Sequence, residues 1–130
     1  MKSQIITVAQ FFKEHKDELQ LELIAGAEGL QREIIEPTVN RPGLVLAGFT
    51  KYFAYKRVQA LGNAEIFFLR SLTAEERAGC FRQLFSFKIP CLVCSRSLKR
   101  AQDAVAVHLT LAVFLQQLNG LSRRHALTLA

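Results

Sequence analysis

The stretch NRPGLVLAGFTKYFAYKRVQALGNAEIFFLRSL, running from Asn40 to Leu72, decides the fold. Pro42 holds Arg41 out of the helical region and is itself tolerated in a helix's first turn. The run therefore predicts an Asn40-Arg41 loop and a short helix from Pro42 to about Ala47, with Gly48 as its C-cap. Tyr52 to Tyr55 form an aromatic loop, and Arg57 to Gly62 alternates as a strand does. Ala64 to Leu72 is apolar enough for a helix, although Ile66 to Leu69 also satisfies a strand pattern.

Upstream, Thr7 and Gln10 form a capping box that opens a helix from Val8 to His15 or a little further, with Val8, Phe11 and Phe12 on its apolar face. Leu21 to Gly26 reads as a short strand stopped by glycine and Glu33 to Ile35 as a second, together a hairpin-like pair. Downstream, Thr73 and Glu76 mark a second capping box and a helix ending near Ser86, with Ala78, Phe81, Leu84 and Phe85 as its buried stripe. A strand follows from Ile89 to Ser95. Ser97 caps a short helix through Gln102, Ala104 to Val107 is a strand, and Thr110 opens a last helix reaching at least Leu118. Strands that alternate with helices in the second half give an α/β class: a three-layer-like sandwich on a partly parallel mixed sheet.

With 130 residues, half of them hydrophobic, the chain is one domain able to bury a core without staples. The longest apolar run, Leu111 to Leu115, is far short of the roughly 18 to 20 residues of a membrane span, and the N-terminus has no signal-peptide pattern. A cytoplasmic protein with no membrane partner follows. Its cysteines, Cys80, Cys91 and Cys94, are three in number, which fits a reducing compartment. Cys91 and Cys94 form a CxxC, but on a strand positions three apart face opposite ways, and no second ligand pair accompanies them. They are expected to be buried structural thiols, with no metal site. The net charge of +6 is spread along the chain rather than gathered on one element, which disfavours nucleic acid as the partner.

Catalytic motifs are missing from the pattern. There is no GxxxxGK followed by Ser or Thr to cradle a triphosphate, no GxSxG and no HExxH. His15, His108 and His125 lack a positioned nucleophile and orienter, Ser95 beside Arg96 has no base, and Glu75 and Glu76 are accounted for by a helix N-terminus. No catalytic residue and no cofactor are expected in this chain. The candidate ligand site is Asn40, Arg41, Gly43, Gly48, Tyr52, Arg57 and Gln59: glycines for close backbone approach, a stacking ring, and charge for a small anion. Turn geometry, core packing of Phe53 and a local carboxylate for Arg57 account for the same residue types completely, and that reading is favoured.

Several landmarks in order carry a resemblance. They are Val8 to Phe12, Leu23 to Gly29, Asn40-Arg41-Pro42-Gly43-Leu44, Leu46-Ala47-Gly48, Tyr52-Phe53, Arg57 with Gln59, Leu61-Gly62, Glu65, Glu76-Arg77 and Ile89-Pro90-Cys91. Across most of residues 1–95 the chain resembles the N-terminal domain of the bacterial HPr kinase/phosphorylase family. Between Ser97 and His108 it is shorter and less typical. The resemblance implies a fold similar to the UDP-binding N-terminal domain of the Mur ligases. It also implies a parent enzyme, usually hexameric, that phosphorylates a serine of HPr with ATP or pyrophosphate and Mg2+, and reverses the reaction with phosphate, in control of carbon metabolism through the phosphotransferase system. The P-loop would lie in a catalytic domain after Ala130, so this chain's partners would be that domain, other subunits and, through the parent, HPr. No catalytic residue of the family transfers here. The implied role is accessory or regulatory, in assembly or in sensing a small anion; the alternative is a free-standing module that binds a protein or nucleic acid through its basic surface.

Overall fold

A computed structural model describes residues 5–36 and 38–94, and the backbone of the strand at 113–117. Strand β1 (Ile6–Thr7) runs into helix α1 (Val8–Leu19), then β2 (Leu21–Ala25), a 3-10 turn (Ala27–Gly29) and β3 (Glu33–Ile34). Helix α2 (Gly43–Leu46), β4 (Gln59–Leu61), α3 (Asn63–Arg70), α4 (Ala74–Phe85), β5 (Cys91–Cys94) and β6 (Val113–Gln117) follow. A four-stranded sheet has the order β2-β6-β5-β4, in which β4, β5 and β6 are parallel and β2 is antiparallel to β6. The expected α/β class with a partly parallel mixed sheet is therefore present.

Both capping boxes form. In α1 the Gln10 N–H donates to Thr7 Oγ1 at 3.1 Å while Thr7 N–H donates to Gln10 Oε1 at 2.8 Å. In α4 the matching distances are 3.1 Å for Glu76 N–H to Thr73 Oγ1 and 2.9 Å for Thr73 N–H to Glu76 Oε1. Helix α1 continues past His15 because Leu19 extends the buried stripe of Val8 and Phe11. It stops at Gln20, which takes a left-handed conformation.

Two expectations are corrected. The strands at 21–25 and 33–34 do not form a hairpin: β3 pairs antiparallel with β1, while β2 pairs with β6. The turn after Gly26 (φ 83°) instead brings two carbonyls to the start of α1: Val8 N–H donates to the Arg32 carbonyl at 2.9 Å and Ala9 N–H to the Leu30 carbonyl at 2.8 Å. Those donors have no partner inside the helix, so this placement satisfies them. The last helix expected from Thr110 is a strand at Val113–Gln117. A short apolar run does not separate the two states by periodicity; pairing with β5 on one side and β2 on the other decides it. The Ile66 to Leu69 ambiguity resolves as helix, within α3. The expected helix from Ser97, the strand at Ala104 to Val107, Ser95, His108 and His125 lie outside the described residues.

Apolar clusters lie on both faces of the sheet. Cys91 and Val93 join Val8, Phe11, Leu19, Leu21, Ile34 and Val58, around α1. Leu92 and Cys94 join Val45, Leu46, Leu61, Ile66, Leu69, Phe81, Leu84 and Ile89, around α2, α3 and α4. Alternate residues of β5 thus serve opposite clusters, as the pleat requires, and the strand is apolar throughout because both faces are covered. Cys91 and Cys94 consequently point away from each other, as their spacing on a strand predicts.

Candidate functional site

Residues 41–58 leave the sheet as one excursion, and the residues at its ends close it. Asn40 forms a parallel bridge with Gln59. Its N–H donates to the Val58 carbonyl at 2.9 Å and its own carbonyl accepts from Ala60 N–H at 2.9 Å, so Asn40 covers the edge of β4. The side chains repeat the pairing. Asn40 Nδ2 donates to Gln59 Oε1 at 2.8 Å, and Gln59 Nε2 donates to the Ala54 and Arg57 carbonyls at 2.8 and 2.9 Å. Gln59 is fully buried, so each of these bonds offsets a desolvation that would otherwise be costly.

Arg41 turns to the start of α3. Its Nε and Nη2 donate to Glu65 Oε1 at 2.9 and 2.7 Å, and the Gly62 N–H donates to the same oxygen at 2.7 Å. The Glu65 side chain is 6% exposed and that of Arg41 45%, so a buried carboxylate is compensated by a guanidinium that still reaches solvent. Glu65 occupies the third position of α3, where the helix dipole and an unpaired N–H both favour a carboxylate. A Cβ at Gly62 would stand 2.6 Å from Arg41 Cζ and closer still to Nη2, so a larger residue there would push the guanidinium off its position on Glu65. Gly43, the first residue of α2, lies against the other oxygen of Glu65, 3.4 Å from where its Cβ would be.

The remaining predicted residues are placed apart from this centre. Arg57 Nε donates to Glu36 Oε1 at 2.9 Å, so the two arginines engage different carboxylates. Gly48 takes φ 104° behind α2, as a helix-ending glycine does. Tyr52 projects into solvent, and Phe53 packs edge-on against Phe87 with ring centroids 4.9 Å apart. The structure thus joins Asn40 with Gln59, and Arg41 with Gly43 through Glu65. Arg57 meets Gln59 only through its carbonyl, its guanidinium being turned to Glu36, and Tyr52 faces solvent.

Two polar residues that the sequence reading named as landmarks, without giving them a role, hold the structure here. Glu65 is the partner of Arg41, and a Glu three residues after a glycine that opens a helix was the available signal. Arg77 is buried in α4 and donates to the Leu69 and Leu72 carbonyls at 2.9 and 3.1 Å, closing the end of α3; nothing in the local pattern marks it.

Two of the thiols, Cys80 and Cys91, are held protonated. Burial pushes Cys91 up to about 12, and burial followed by the nearby Glu76 charge raises Cys80, whose thiol donates to the Leu46 carbonyl at 3.2 Å. Such groups are poor nucleophiles and poor metal ligands at neutral pH. Among the described residues no group of three or more His, Cys, Asp or Glu side chains is arranged to hold a metal ion, and no helix is long and apolar enough to cross a membrane.

Known proteins share this pattern. The family model described as HPr Serine kinase N terminus matches residues 6–120. The HPr kinase/phosphorylase of Pelodictyon phaeoclathratiforme is 42% identical over 105 residues, covering 79% of this chain and 32% of the relative. That of Chlorobium luteolum is 42% identical over 101 residues, covering 76% and 30%, and that of Chlorobium phaeobacteroides 40% over 111 residues, covering 82% and 34%. The chain spans about a third of the length of these curated relatives. A match over nearly the whole chain, at this identity, establishes that the protein belongs to the HPr serine kinase N-terminus family.

Proposed function

We propose that this chain is a non-catalytic accessory domain of an HPr serine kinase/phosphorylase, and that it acts in assembly and positioning rather than in sensing a small anion. The observation that carries this reading is the internal pairing of the candidate ligand groups. Arg41 is engaged by Glu65, Arg57 by Glu36, and Asn40 and Gln59 by each other and by backbone. A sensing pocket would keep such donors for its ligand.

The parent enzyme in this reading is cytoplasmic and oligomeric. It transfers phosphate from ATP or pyrophosphate, with Mg2+, to a serine of HPr and reverses the transfer with phosphate, in carbon catabolite control. Its catalytic groups belong to the two-thirds of the relatives' length that this chain does not match. A fold similar to the UDP-binding N-terminal domain of the Mur ligases is part of the same proposal, supported by a partly parallel sheet with apolar clusters on both faces.

Two measurements test it. Incubated with HPr and ATP or pyrophosphate, the chain alone yields no phosphoserine; phosphorylated HPr would overturn the non-catalytic reading. In a thermal-shift screen of nucleotides, UDP-sugars, sugar phosphates and inorganic phosphate, no compound stabilises the chain specifically. A ligand at 100 times its dissociation constant would add about 2.7 kcal/mol, and that shift would decide for sensing.

A further inference from the structure

Three large apolar side chains that face solvent lie within one short segment: Leu44 is 68% exposed, Phe49 52% and Tyr52 89%. Their neighbours hold them there. Val45 and Leu46 are buried in the core, Phe53 is pinned against Phe87, and the Phe49 N–H donates to the Leu44 carbonyl at 2.8 Å, folding the segment back onto α2. Tyr52 adopts φ 63°, a region that bulky side chains avoid, and among the described residues its ring makes a cation–π contact with Lys51 at 5.4 Å. The other strongly exposed apolar residues, Ile5, Ile35 and Phe67, are scattered along the chain, as on any protein surface.

Charge along this segment has one sign. No carboxylate stands between Glu36 and Glu65, whereas Arg41, Lys51, Lys56 and Arg57 do. The flanking carboxylates engage the two arginines, and among the described residues Lys51 and Lys56 form no ion pair and are exposed. A second copy of the chain would bring the same lysines against themselves in a symmetric contact, on a molecule already carrying +6. A membrane surface is a poor match too, because stable anchoring takes a larger basic cluster or a lipid chain.

We propose that Leu44, Phe49 and Tyr52 form a docking face for an acidic protein surface, their apolar groups entering a recess of the partner while Lys51 and Lys56 meet its carboxylates. The proposal deepens the assembly reading above and rests on it for the need of a protein partner. It is tested by titrating the isotope-labelled chain with a synthetic peptide in which Leu and Phe anchors alternate with Asp and Glu, beside a control peptide carrying Lys at the acidic positions. Amide shifts confined to residues 44–56 are expected, with affinity lost about tenfold in Tyr52→Ala and in the double variant Lys51→Glu/Lys56→Glu. Raising salt from about 0.05 to about 0.3 M weakens binding further. The exposed positions of these three residues leave the fold intact in the variants. Absence of binding, equal binding of the lysine peptide, or shifts confined to other residues would overturn the proposal. So would self-association of the chain abolished by Tyr52→Ala, or Tyr52-dependent binding to phosphatidylglycerol vesicles without peptide binding. Shifts at another face would sink this surface and leave the assembly reading standing; phosphorylation of HPr by the chain alone would sink the accessory reading by a separate route.

Discussion

Strand β5 and the excursion at residues 41–58 are adjacent in the fold, separated only by β4, yet they are held by opposite kinds of force. Every side chain of β5 is buried in one of two apolar clusters, so its position is set chiefly by area removed from water. The excursion returns to the sheet through directed contacts: the Asn40–Gln59 pair, the Arg41–Glu65–Gly62 junction and the Arg57–Glu36 pair. Burial tolerates approximate shape. A polar junction has few partners, and each missing one leaves another group stranded.

The largest expected effect is on the burial side. Phe81→Ala empties a fully buried site beside Leu84 and Leu92 and is expected to cost about 3–5 kcal/mol in urea denaturation. A cost under about 1 kcal/mol would mean that the cluster on this face is loosely packed.

The next effect separates the two regions by pH. Cys91 has a folded pKa of about 12 against an ordinary value of 9.0, because burial disfavours its thiolate. Its contribution is fully present below pH 9.0 and is lost as pH rises towards about 12, since only the unfolded chain gives up the proton in that window. The slope from this group is about 1.4 kcal/mol per pH unit, and Cys91→Ala should flatten the stability curve there relative to the parent. Parallel curves would show that the thiol is not sealed in the core.

On the polar side, Gly62→Ala places a methyl group against the Arg41 guanidinium and is expected to cost about 1–3 kcal/mol. The Arg41→Ala background removes the atoms in conflict, so there the same substitution should cost less; equal costs would place Arg41 elsewhere. The smallest effect is a gain. Tyr52→Gly relieves a left-handed tyrosine that packs against little, and a net stabilisation of about 0.5 kcal/mol is expected in the same denaturation assay. A loss would show that the ring is anchored.

The same contrast explains what the sequence discloses. Thr7 with Gln10 and Thr73 with Glu76 announce two helices because a capping box is local, and the CxxC spacing on a strand predicts two separated thiols because the pleat is local. Residues 113–117 read as helix because five residues do not carry a period, and the pairing that makes them a strand comes from β2 and β5, distant in the chain. The supposed hairpin failed for the same reason: the segment at 33–34 serves the start of α1, a demand visible only once the helix end is placed. At the candidate site, the sequence puts forward Asn40, Arg41 and Gln59 as ligand groups because residue type is all that a single sequence shows of them. Their partners, Glu65 and one another, are set by tertiary contacts, and those partners are what the proposed reading as a junction, rather than an open anion pocket, rests on.

A double-mutant cycle on Arg41 and Glu65, measured by urea denaturation of the parent, Arg41→Ala, Glu65→Ala and the double variant, tests that junction most directly. Since the carboxylate is buried and the arginine half-exposed, a coupling of about 2 kcal/mol is predicted, below the full figure for a buried pair. Effects additive within about 0.5 kcal/mol, with Arg41→Ala nearly neutral, would contradict it and return Arg41 to the pool of groups free to bind a ligand.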